Sequence, residues 1–561
     1  MKRAAIVLCA LSLGALGGCT STRHCKAGTM LLTVTLAGPA LAADNIEVSV
    51  DVASGSAAPD GSAVDGGAAL DGRFTLPATT KPGTVEIDFP AGYPTGQMVG
   101  VRVTAFMGGA RIVSSRVSTV AQPRCSTLAI TVGADDGGAS CDPAVDTRCS
   151  DDGGSLLSCR ADGSGIDTTA CAFGCGALDG APHCLHLEPS GVVTASDLSS
   201  GTASATLSAD TTFNTDTGEI TGGLTRPPGA GAGGGSNGGI SFRAEQQPGS
   251  TVSVGVFGFA GLTLAQGATL HFIGKSPAAI VSSTDVTLAG NLDLQGDCMQ
   301  PIAGAGAGGT GGVNSGDGLG ARGGRAGAGA VNAASGGGGG GFGDAGGRGG
   351  NGAGSVGGTG GASFGDLTSE PLLLIGGSGG GLGGSGGGSG GSGGGALQIA
   401  VDGALTLSGA LNAGGCGGRA GASQTGGGGG GAGGALLIEA ATVHLTNTAA
   451  LAVNGGGGGA SGGMNGSNGA PTTSNPAGGT AGAGGTAGGA GGAMAIPAGA
   501  RGVDISGTLK SAGGGGGGAG RIALKTKSGM LTDDGALFSP APTDMNQAGQ
   551  PIVTTTRAAF Q

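Results

Sequence analysis

Short segments in the second half of the chain alternate apolar residues with small or polar ones, and each follows a run of glycines. A period of two with one apolar face is typical of a β-strand. Three copies begin at Ala396, Ala435 and Ala493, and a degenerate copy begins at Ala279. The alternating apolar positions are Leu405, Leu407 and Leu411 in the first copy, Val443, Leu445, Leu451 and Val453 in the second, and Val503, Ile505 and Leu509 in the third.

One copy spans roughly 20 residues, which is about the length of one coil of a parallel β-solenoid. A single coil cannot bury its apolar face, so the pattern predicts that the coils stack. The glycine runs between copies vary in length, as insertions do when they leave a solenoid from one side. Antiparallel hairpins in an ordinary sandwich are the alternative, and we favour the solenoid.

Glycine dominates the longest insertion, residues 303–395. Glycine-rich chain fits a flexible linker, but glycine also lets backbones approach closely enough for packed polyproline-II strands. Both structures are consistent with the sequence. The apolar residues within 363–375 are expected to dock on the β-rich part of the protein.

A series of seven strand-like runs lies between residues 31 and 132, separated by Gly, Pro and Asp clusters. Seven short strands in about a hundred residues indicate a β-sandwich, so residues 19–133 are expected to form an immunoglobulin- or fibronectin-like domain. Cys25 precedes the first run and Cys125 the last. A disulfide between them would close nearly the whole domain in an exported protein.

Six cysteines follow an acidic linker within residues 134–184, at Cys141, Cys149, Cys159, Cys171, Cys175 and Cys184. An even number in a short exported segment indicates three disulfides, with fifteen possible connectivities. Zinc is the alternative, because cysteines lie close to His183 and His186, but no CxxC pair is present. We favour disulfides and expect no metal site.

Two further cysteines occupy similar places in their repeats. Cys298 follows the segment that begins at Asn291, and Cys416 follows the segment that begins at Ala410. If the two coils are neighbours, the thiols can bond. Around them we expect a β-rich lead-in to the solenoid at 185–302, glycine-rich β repeats at 396–542 and a C-terminal tail at 543–561.

The N-terminus carries an export signal. Lys2 and Arg3 precede the apolar run 4–16, which is too short to span a membrane as a mature helix. The following Leu16-Gly17-Gly18-Cys19 resembles a bacterial lipobox. The resemblance implies that residues 1–18 are a signal peptide and that Cys19 becomes a lipidated first residue. Several acyl chains anchor a protein firmly, so we expect an exported, lipid-anchored protein at the outer membrane or cell surface.

The composition and the placement of polar residues argue against nucleic acid as a partner and against catalysis. The net charge of −11 argues against nucleic acid, which needs a basic footprint. No Trp and a single Tyr leave little aromatic surface for sugar rings. The carboxylates of the repeat half occupy different positions within their repeats. His444 lies between the apolar residues Val443 and Leu445, as a solvent-facing strand residue would. We therefore expect no catalytic residue and no cofactor; the carboxylates are Asp285, Asp293, Asp402, Glu439 and Asp504.

The order of parts resembles exported glycine-rich lipoproteins of myxobacteria and related deltaproteobacteria. The resemblance rests on the lipobox, the Cys25-to-Cys125 sandwich, the cysteine-rich module with the motif 170–175 and the glycine-rich repeats. It implies no particular activity. The sequence favours a non-enzymatic, lipid-anchored envelope protein, structural or adhesive, and we expect the membrane and envelope polysaccharide or other surface proteins as its partners. The alternative is a β-helix that binds or cleaves polysaccharide.

Overall fold

A computed structural model confirms that the protein is almost entirely β-structure. The predicted lipidation site Cys19 and the predicted disulfide cysteine Cys141 lie outside the residues that it describes. Those residues are 25–52, 70–75, 83–89, 92–108, 110–132, 147–150, 152–160, 166–177, 181–231, 238–295, 298, 309–313, 316–365, 367 and 372–561.

The chain divides into two units. The first comprises Met1–Arg148 with Leu156–Thr169, and the second comprises Cys149–Ser155 with Ala170–Gln561. The first unit contains seven strands of the expected sandwich and a 3₁₀ turn at Gly38–Ala42. The strands are β1 (Thr29–Leu36), β2 (Asn45–Val52), β3 (Leu70–Thr75), β4 (Gly83–Asp88), β5 (Met98–Met107), β6 (Ala110–Val120) and β7 (Cys125–Val132).

Two sheets enclose the core of this unit, one in the order β4-β1-β7 and one in the order β3-β2-β5-β6. Alternate residues of β1, β2, β5 and β7 point inward, as the period of two requires, and residues such as Leu32, Val48 and Val101 are buried between the sheets. Cys25 and Cys125 form a disulfide with 6.0 Å between their Cα atoms. β1 and β7 are parallel neighbours with Thr29 opposite Cys125, which brings these two chain segments together.

The cysteine-rich module contains only short strands: β8 (Arg148–Cys149), β9 (Ser155–Cys159), β10 (Ile166–Ala170), β11 (Cys175–Gly176) and β12 (His183–Cys184). Disulfides join Cys149 to Cys175 and Cys171 to Cys184, and Cys159 is disulfide-bonded as well. Phe173, which belongs to the second unit, is 1% exposed and is part of a buried apolar cluster of that unit. Because the module has few apolar residues to form a core, its disulfides provide much of its stability.

The second unit is a parallel β-solenoid. It begins with β13 (Leu187–Glu188) and a single-turn helix α1 (Ala195–Leu198), which a capping box between Thr194 and Asp197 starts. The remaining strands are β14 (Ser204–Leu207), β15 (Thr211–Asn214), β16 (Ile220–Gly222), β17 (Ser241–Gln246), β18 (Ser253–Phe259), β19 (Gly261–Leu264), β20 (Thr269–Ile273), β21 (Ala278–Ser282), β22 (Val286–Leu288), β23 (Asn291–Asp293), β24 (Ala396–Leu407), β25 (Ala410–Asn412), β26 (Ala435–Leu445), β27 (Ala450–Ala452), β28 (Arg521–Thr526), β29 (Thr532–Asp533), β30 (Leu537–Ser539), β31 (Val553–Arg557) and β32 (Ala559–Phe560).

The solenoid has six coils, and each coil contributes one strand to each of three parallel ladders. The first ladder runs β14, β19, β22, the second half of β24, the second half of β26 and β29. The second runs β15, β20, β23, β25, β27 and β30. The third runs β18, β21, the first half of β24, the first half of β26, β28 and β31.

Identical positions of successive coils stack their side chains in the core. One row of the first ladder consists of leucines from five coils, and rows of the second and third ladders continue the pattern with Leu, Ile and Phe. The leucine row is Leu207, Leu264, Leu288, Leu407 and Leu445. The predicted core positions of the copies at Ala396 and Ala435 are therefore confirmed.

The expectation that residues 493–512 form a third solenoid copy is wrong. Val503 is 50% exposed, and the fifth coil resumes only at β28. Backbone N–H groups at Gly499, Gly502 and Ile505 donate to a neighbouring segment at every third residue, whereas a strand would pair at every second. Residues 543–561, expected as a tail, contribute β31 and β32.

The outer face of the third ladder carries a second apolar core. Leu187, Val193 and Leu198 cover it from one side, and the apolar island predicted within 363–375 covers it from another, with Leu372 and Leu374 1% exposed. The docking of this island is thus confirmed. The third ladder is consequently the one ladder whose strands are buried on both faces along most of their length.

Replacing Leu407 with alanine should lower the free energy of unfolding by about 2–5 kcal/mol, because a buried leucine leaves a cavity that its neighbours fill only in part. Chemical denaturation of the full chain measures the change. The control is Val503→Ala, which should cost no more than about 0.5 kcal/mol at an exposed position. Equal losses of unfolding free energy for the two variants would indicate that Val503 lies in the core and that residues 493–512 form a solenoid copy.

Candidate functional site in the glycine bundle

The glycine-rich insertions all leave the solenoid at the same corner. Each begins after a second-ladder strand and returns to a third-ladder strand, so they occupy residues 294–395, 413–434 and 453–520. Their described parts pack together into one body, which we call the glycine bundle. This confirms that the glycine runs leave one side of the solenoid, and it favours packed strands over a flexible linker.

Extended rods form the bundle, and the rod 426–434 is typical. Its N–H groups donate to three different neighbours in strict rotation. Donors 426, 429 and 432 bond rod 377–384; donors 427, 430 and 433 bond rod 512–520; donors 428, 431 and 434 bond rod 413–421, all at 2.8–3.0 Å. A rotation of three is the signature of polyproline-II geometry, which has three residues per turn and no internal hydrogen bonds.

Three further rods surround the same segment as donors to its carbonyl groups. Gly337 and Gly340 donate to Gly427 and Gly430, and the rods 387–395 and 453–461 donate to the remaining carbonyls of residues 426–432. The rod therefore has six neighbours. Every N–H group of residues 426–434 and every carbonyl group of residues 426–432 thus has a backbone partner, as buried backbone requires.

The six-neighbour packing leaves no room for a side chain along most of the rod. A Cβ atom added to Gly429 would lie 1.9 Å from the carbonyl oxygen of Gly338, and one added to Gly430 would lie 2.1 Å from that of Gly456. Both distances are well inside van der Waals contact. Collagen needs glycine at one position in three for the same reason, whereas a rod with neighbours on all sides needs it at all three. Ala432, close to the solenoid, is the rod's one alanine, and its methyl group joins the outer core of the third ladder.

The rods continue the register of the solenoid strands. β25 and β27 pair Leu411 with Leu451, an offset of 40 residues. Beyond the strands, the N–H groups of Gly415 and Gly418 donate to the carbonyls of Asn454 and Gly457, which is the parallel pairing of the same offset. The solenoid coils therefore fix which rods are neighbours.

A disulfide fastens the base of the bundle. Cys298 at the start of the first insertion bonds Cys416 in rod 413–421, with 5.2 Å between the Cα atoms. Arg419 also donates to the carbonyl of Cys298 at 3.0 Å. The two cysteines that matched by position in their repeats are thus in adjacent coils.

Turns at the far end of the rods form a continuous surface, which we call the distal face. Rod 426–434 has nine residues at about 3.1 Å each, so this face lies roughly 28 Å from β26. The turns come from all three insertions and are 328–335, 351–356, 384–388, 420–426, 460–463, 481–486 and 505–512.

Direct contacts tie these turns to one another. β-bridges join Ala334 to Ser511 and Gly421 to Ser461, and the buried hydroxyls of Ser461 and Ser511 hydrogen-bond each other. The Asn332 N–H donates to the carbonyl of Gln424 at 3.0 Å. The distal face is therefore one connected surface rather than a set of independent loops.

Side chains that the rods cannot carry reappear on the distal face. The rod interiors are almost entirely glycine and alanine, but the turns expose apolar, amide, hydroxyl and amino groups. The exposed residues include Val331, Asn332, Val356, Ser423, Gln424, Thr508 and Lys510. Exposed, chemically varied side chains on a rigid scaffold are typical of a binding surface.

Each carboxylate singled out from the sequence has its own local partners. Asp285 accepts from the Ala404 N–H at 2.7 Å, and Asp504 accepts from Asn351 and Arg501. Asp293 accepts from Gln295 N–H, and burial raises its pKa. Asp285 and Asp293 lie at the two ends of the β22–β23 segment and Asp504 lies next to a rod, and no described hydrogen-bond donor is shared by two of these carboxylates.

Glu439 belongs to a buried polar cluster. It is 1% exposed and accepts from the backbone N–H of Ser190 and from Gln398 Nε2, the latter at 2.7 Å. Lys525 Nζ lies 3.5 Å from its Oε1 and donates to the Ser190 hydroxyl. The cluster fastens the segment around Ser190 to the third ladder, which is a structural role.

Three of the described histidines, His186, His271 and His444, each lie against an aspartate. His444 is on the first ladder, 42% of its side chain is exposed, and Nε2 lies 2.8 Å from Asp534. The sequence analysis considered His186 only as part of a possible zinc site; in the structure its Nδ1 contacts Asp402, 216 residues away in the chain. No local spacing could have indicated that contact. Among the described residues, no group of three His, Cys, Asp or Glu side chains is placed to hold a metal ion.

In the part of the chain that the structure describes, no helix is long and apolar enough to cross a membrane. The chain matches no protein-family model, no curated protein and no solved structure.

Replacing Gly429 with alanine should destabilise the bundle by about 3 kcal/mol or more, because backbone on both sides must move. Hydrogen exchange of peptides covering 422–435 should change from slow to fast. Gly316→Ala is the matched control, since the nearest atom to its added Cβ is Val313 O at 3.1 Å. If peptides 422–435 exchange fast in the unchanged protein, the packed bundle is contradicted.

Proposed function

We propose that the protein is a non-enzymatic, lipid-anchored surface protein that uses the distal face of its glycine bundle for adhesion. The observation that carries this proposal is that three insertions, from three successive coils, converge on one connected and exposed surface. The rods use much of the chain's glycine to hold that surface away from the solenoid. Envelope polysaccharide and other surface proteins are the partners that we propose.

Rigidity supports adhesion over a purely structural role. A binding surface that is ordered before contact loses less conformational entropy when it binds. Neighbouring rods hold the turns through backbone hydrogen bonds, and the hydroxyl of buried Ser335 accepts from the Ala328 N–H at 2.7 Å and donates to the carbonyl of Val356 at 2.9 Å. The adhesive groups are therefore placed before the partner arrives.

The lipobox-like Leu16-Gly17-Gly18-Cys19 supports the membrane anchor. Disulfides throughout the described chain fit an oxidising compartment outside the cytoplasm. Export and lipidation together suit an adhesive protein at the outer membrane or cell surface.

Cleavage of polysaccharide has less support. Glycoside hydrolysis generally needs two carboxyl groups on either side of one bond. Asp285, Asp293, Asp402, Glu439 and Asp504 are each held by separate local partners. The non-enzymatic proposal rests on this separation.

Replacing Cys19 with serine should abolish lipidation and shift the protein from the membrane fraction to the soluble fraction. Mass spectrometry of the N-terminal peptide should find acyl mass on Cys19 in the unchanged protein and none in the variant. Cys9→Ser is the matched control, because Cys9 lies within the predicted signal peptide. An unmodified mature N-terminus in the unchanged protein would contradict the anchor.

The double variant Val331→Asp with Gln424→Glu should reduce attachment of cells that display the protein by about tenfold, the effect of removing roughly 1.4 kcal/mol of contact energy. Attachment to other cells and to coated surfaces is counted after matching surface levels with an antibody. Met530→Glu is the control, since Met530 is 71% exposed on a solenoid turn. Equal attachment by the double variant and the unchanged protein would remove the distal face from the proposal.

A further inference from the structure

A second surface feature lies on the solenoid itself, independent of the glycine bundle. It is a groove of about 680 Å³ beside the corner between the third and first ladders. The volume is within the range of roughly 300–1,000 Å³ that is usual for small-ligand sites. The walls come from the segment before β13, from α1, from β32 and from the corner of β24.

One wall contains a histidine held by a shielded carboxylate. Asp402 is 10% exposed in its side chain and accepts from the Leu187 N–H at 2.8 Å. Its other oxygen contacts His186 Nδ1. Because a carboxylate can only accept, Nδ1 carries a proton, and in the neutral imidazole Nε2 is then an acceptor. The His186 side chain is 58% exposed, and no described residue hydrogen-bonds its Nε2.

A hydroxyl row runs beside this pair. Ser282 and Val401 are in register on the third ladder, so Ser283 lies one coil from Asp402 at the same corner, about 4.8 Å away along the stack. Ser199, at the end of α1, also lines the groove. Both hydroxyls donate within the protein, Ser283 to Ala260 O and Ser199 to Ser196 O, each at 3.3 Å, so the oxygen atoms are available to the groove as acceptors.

The opposite side of the groove is apolar and fixed in place. Phe560 is 39% exposed, pairs through β32 with Leu187 of β13, and has its ring 5.9 Å from that of Phe173. Leu198, the last residue of α1, is buried. Arg243 holds that helix through Asp197 at 2.5 Å; burial alone would raise the pKa of Asp197, but the bonds from Arg243 and Thr194 keep it below its usual value.

We infer that this groove binds a short, uncharged oligosaccharide. A sugar ring has an apolar face for Phe560 and hydroxyl groups for His186, Ser199 and Ser283. The described lining residues include no Lys or Arg, and the one carboxylate side chain already has protein partners, so the groove favours a neutral ligand over an ionic one. Asp402 is the one carboxylate side chain among the described lining residues, and it is already engaged. The site therefore binds sugar without cleaving it.

The test uses the full chain in detergent micelles with five neutral trisaccharides: cellotriose, xylotriose, N,N′,N″-triacetylchitotriose, maltotriose and laminaritriose. Saturation-transfer NMR detects binding, and calorimetry measures Kd. At least one trisaccharide should bind. His186→Ala should weaken its binding by about tenfold, the usual effect of one lost ligand hydrogen bond of roughly 1–1.5 kcal/mol. His186→Gln, which retains a side-chain acceptor, should weaken it less.

His444→Ala is the matched control, because His444 pairs with Asp534 outside the groove. It should bind as the unchanged protein does, and so should the distal-face double variant, which separates this site from the adhesive one. The inference is overturned if none of the five trisaccharides binds, or if His186→Ala and His444→Ala have equal effects. It is also overturned if trigalacturonate or a pool of Ser/Thr tripeptides binds more tightly than every neutral sugar and loses that binding in His186→Ala.

Discussion

Backbone-to-backbone contact at a distance that excludes Cβ holds the glycine bundle together. A polyproline-II rod has no internal hydrogen bonds, and glycine loses more conformational entropy on ordering than any other residue, so an isolated rod of this composition would not persist. Inside the bundle, rod 426–434 makes hydrogen bonds to six neighbours. Every rod therefore depends on the others, and a side chain at a position such as Gly429 disturbs several of them together.

The sequence predicted the strand positions because a strand with one buried face has an apolar residue at every second position. Leu407 and Val443 alternate with polar or small residues and lie in the core. Val503 and Ile505 have the same alternation, yet they lie in a rod whose hydrogen bonds recur every third residue. In a glycine-rich background, side chains are too sparse to distinguish the two periods. The choice between linker and packed rod was open for a related reason, since glycine is compatible with both and only the neighbours decide.

The candidate sites were less accessible to sequence reasoning than the fold. Cys298 and Cys416 could be matched because the repeats that contain them have a common pattern, and they form a disulfide. His186 and Asp402 have no such pattern, because one precedes the solenoid and the other is at a corner of its fourth coil. The distal face likewise combines turns such as 328–335, 420–426 and 505–512, which only the packing of the rods brings together.

The solenoid sets the spacing and the register of the rods in the glycine bundle. Adjacent coils are separated by about 4.8 Å, a spacing set by N–H···O=C bonds between strands. The same bond sets the spacing between rods, so a rod that leaves β25 stays paired with the rod that leaves β27 at an unchanged offset, as Gly415 and Gly418 demonstrate. Three consecutive coils thus start three insertions already in register. The loop-closure cost of assembling distant segments falls, because their ends are fixed side by side before the glycines pack. A body with almost no side chains can therefore specify one arrangement, since its order is inherited from strands whose Leu, Ile and Val rows specify theirs.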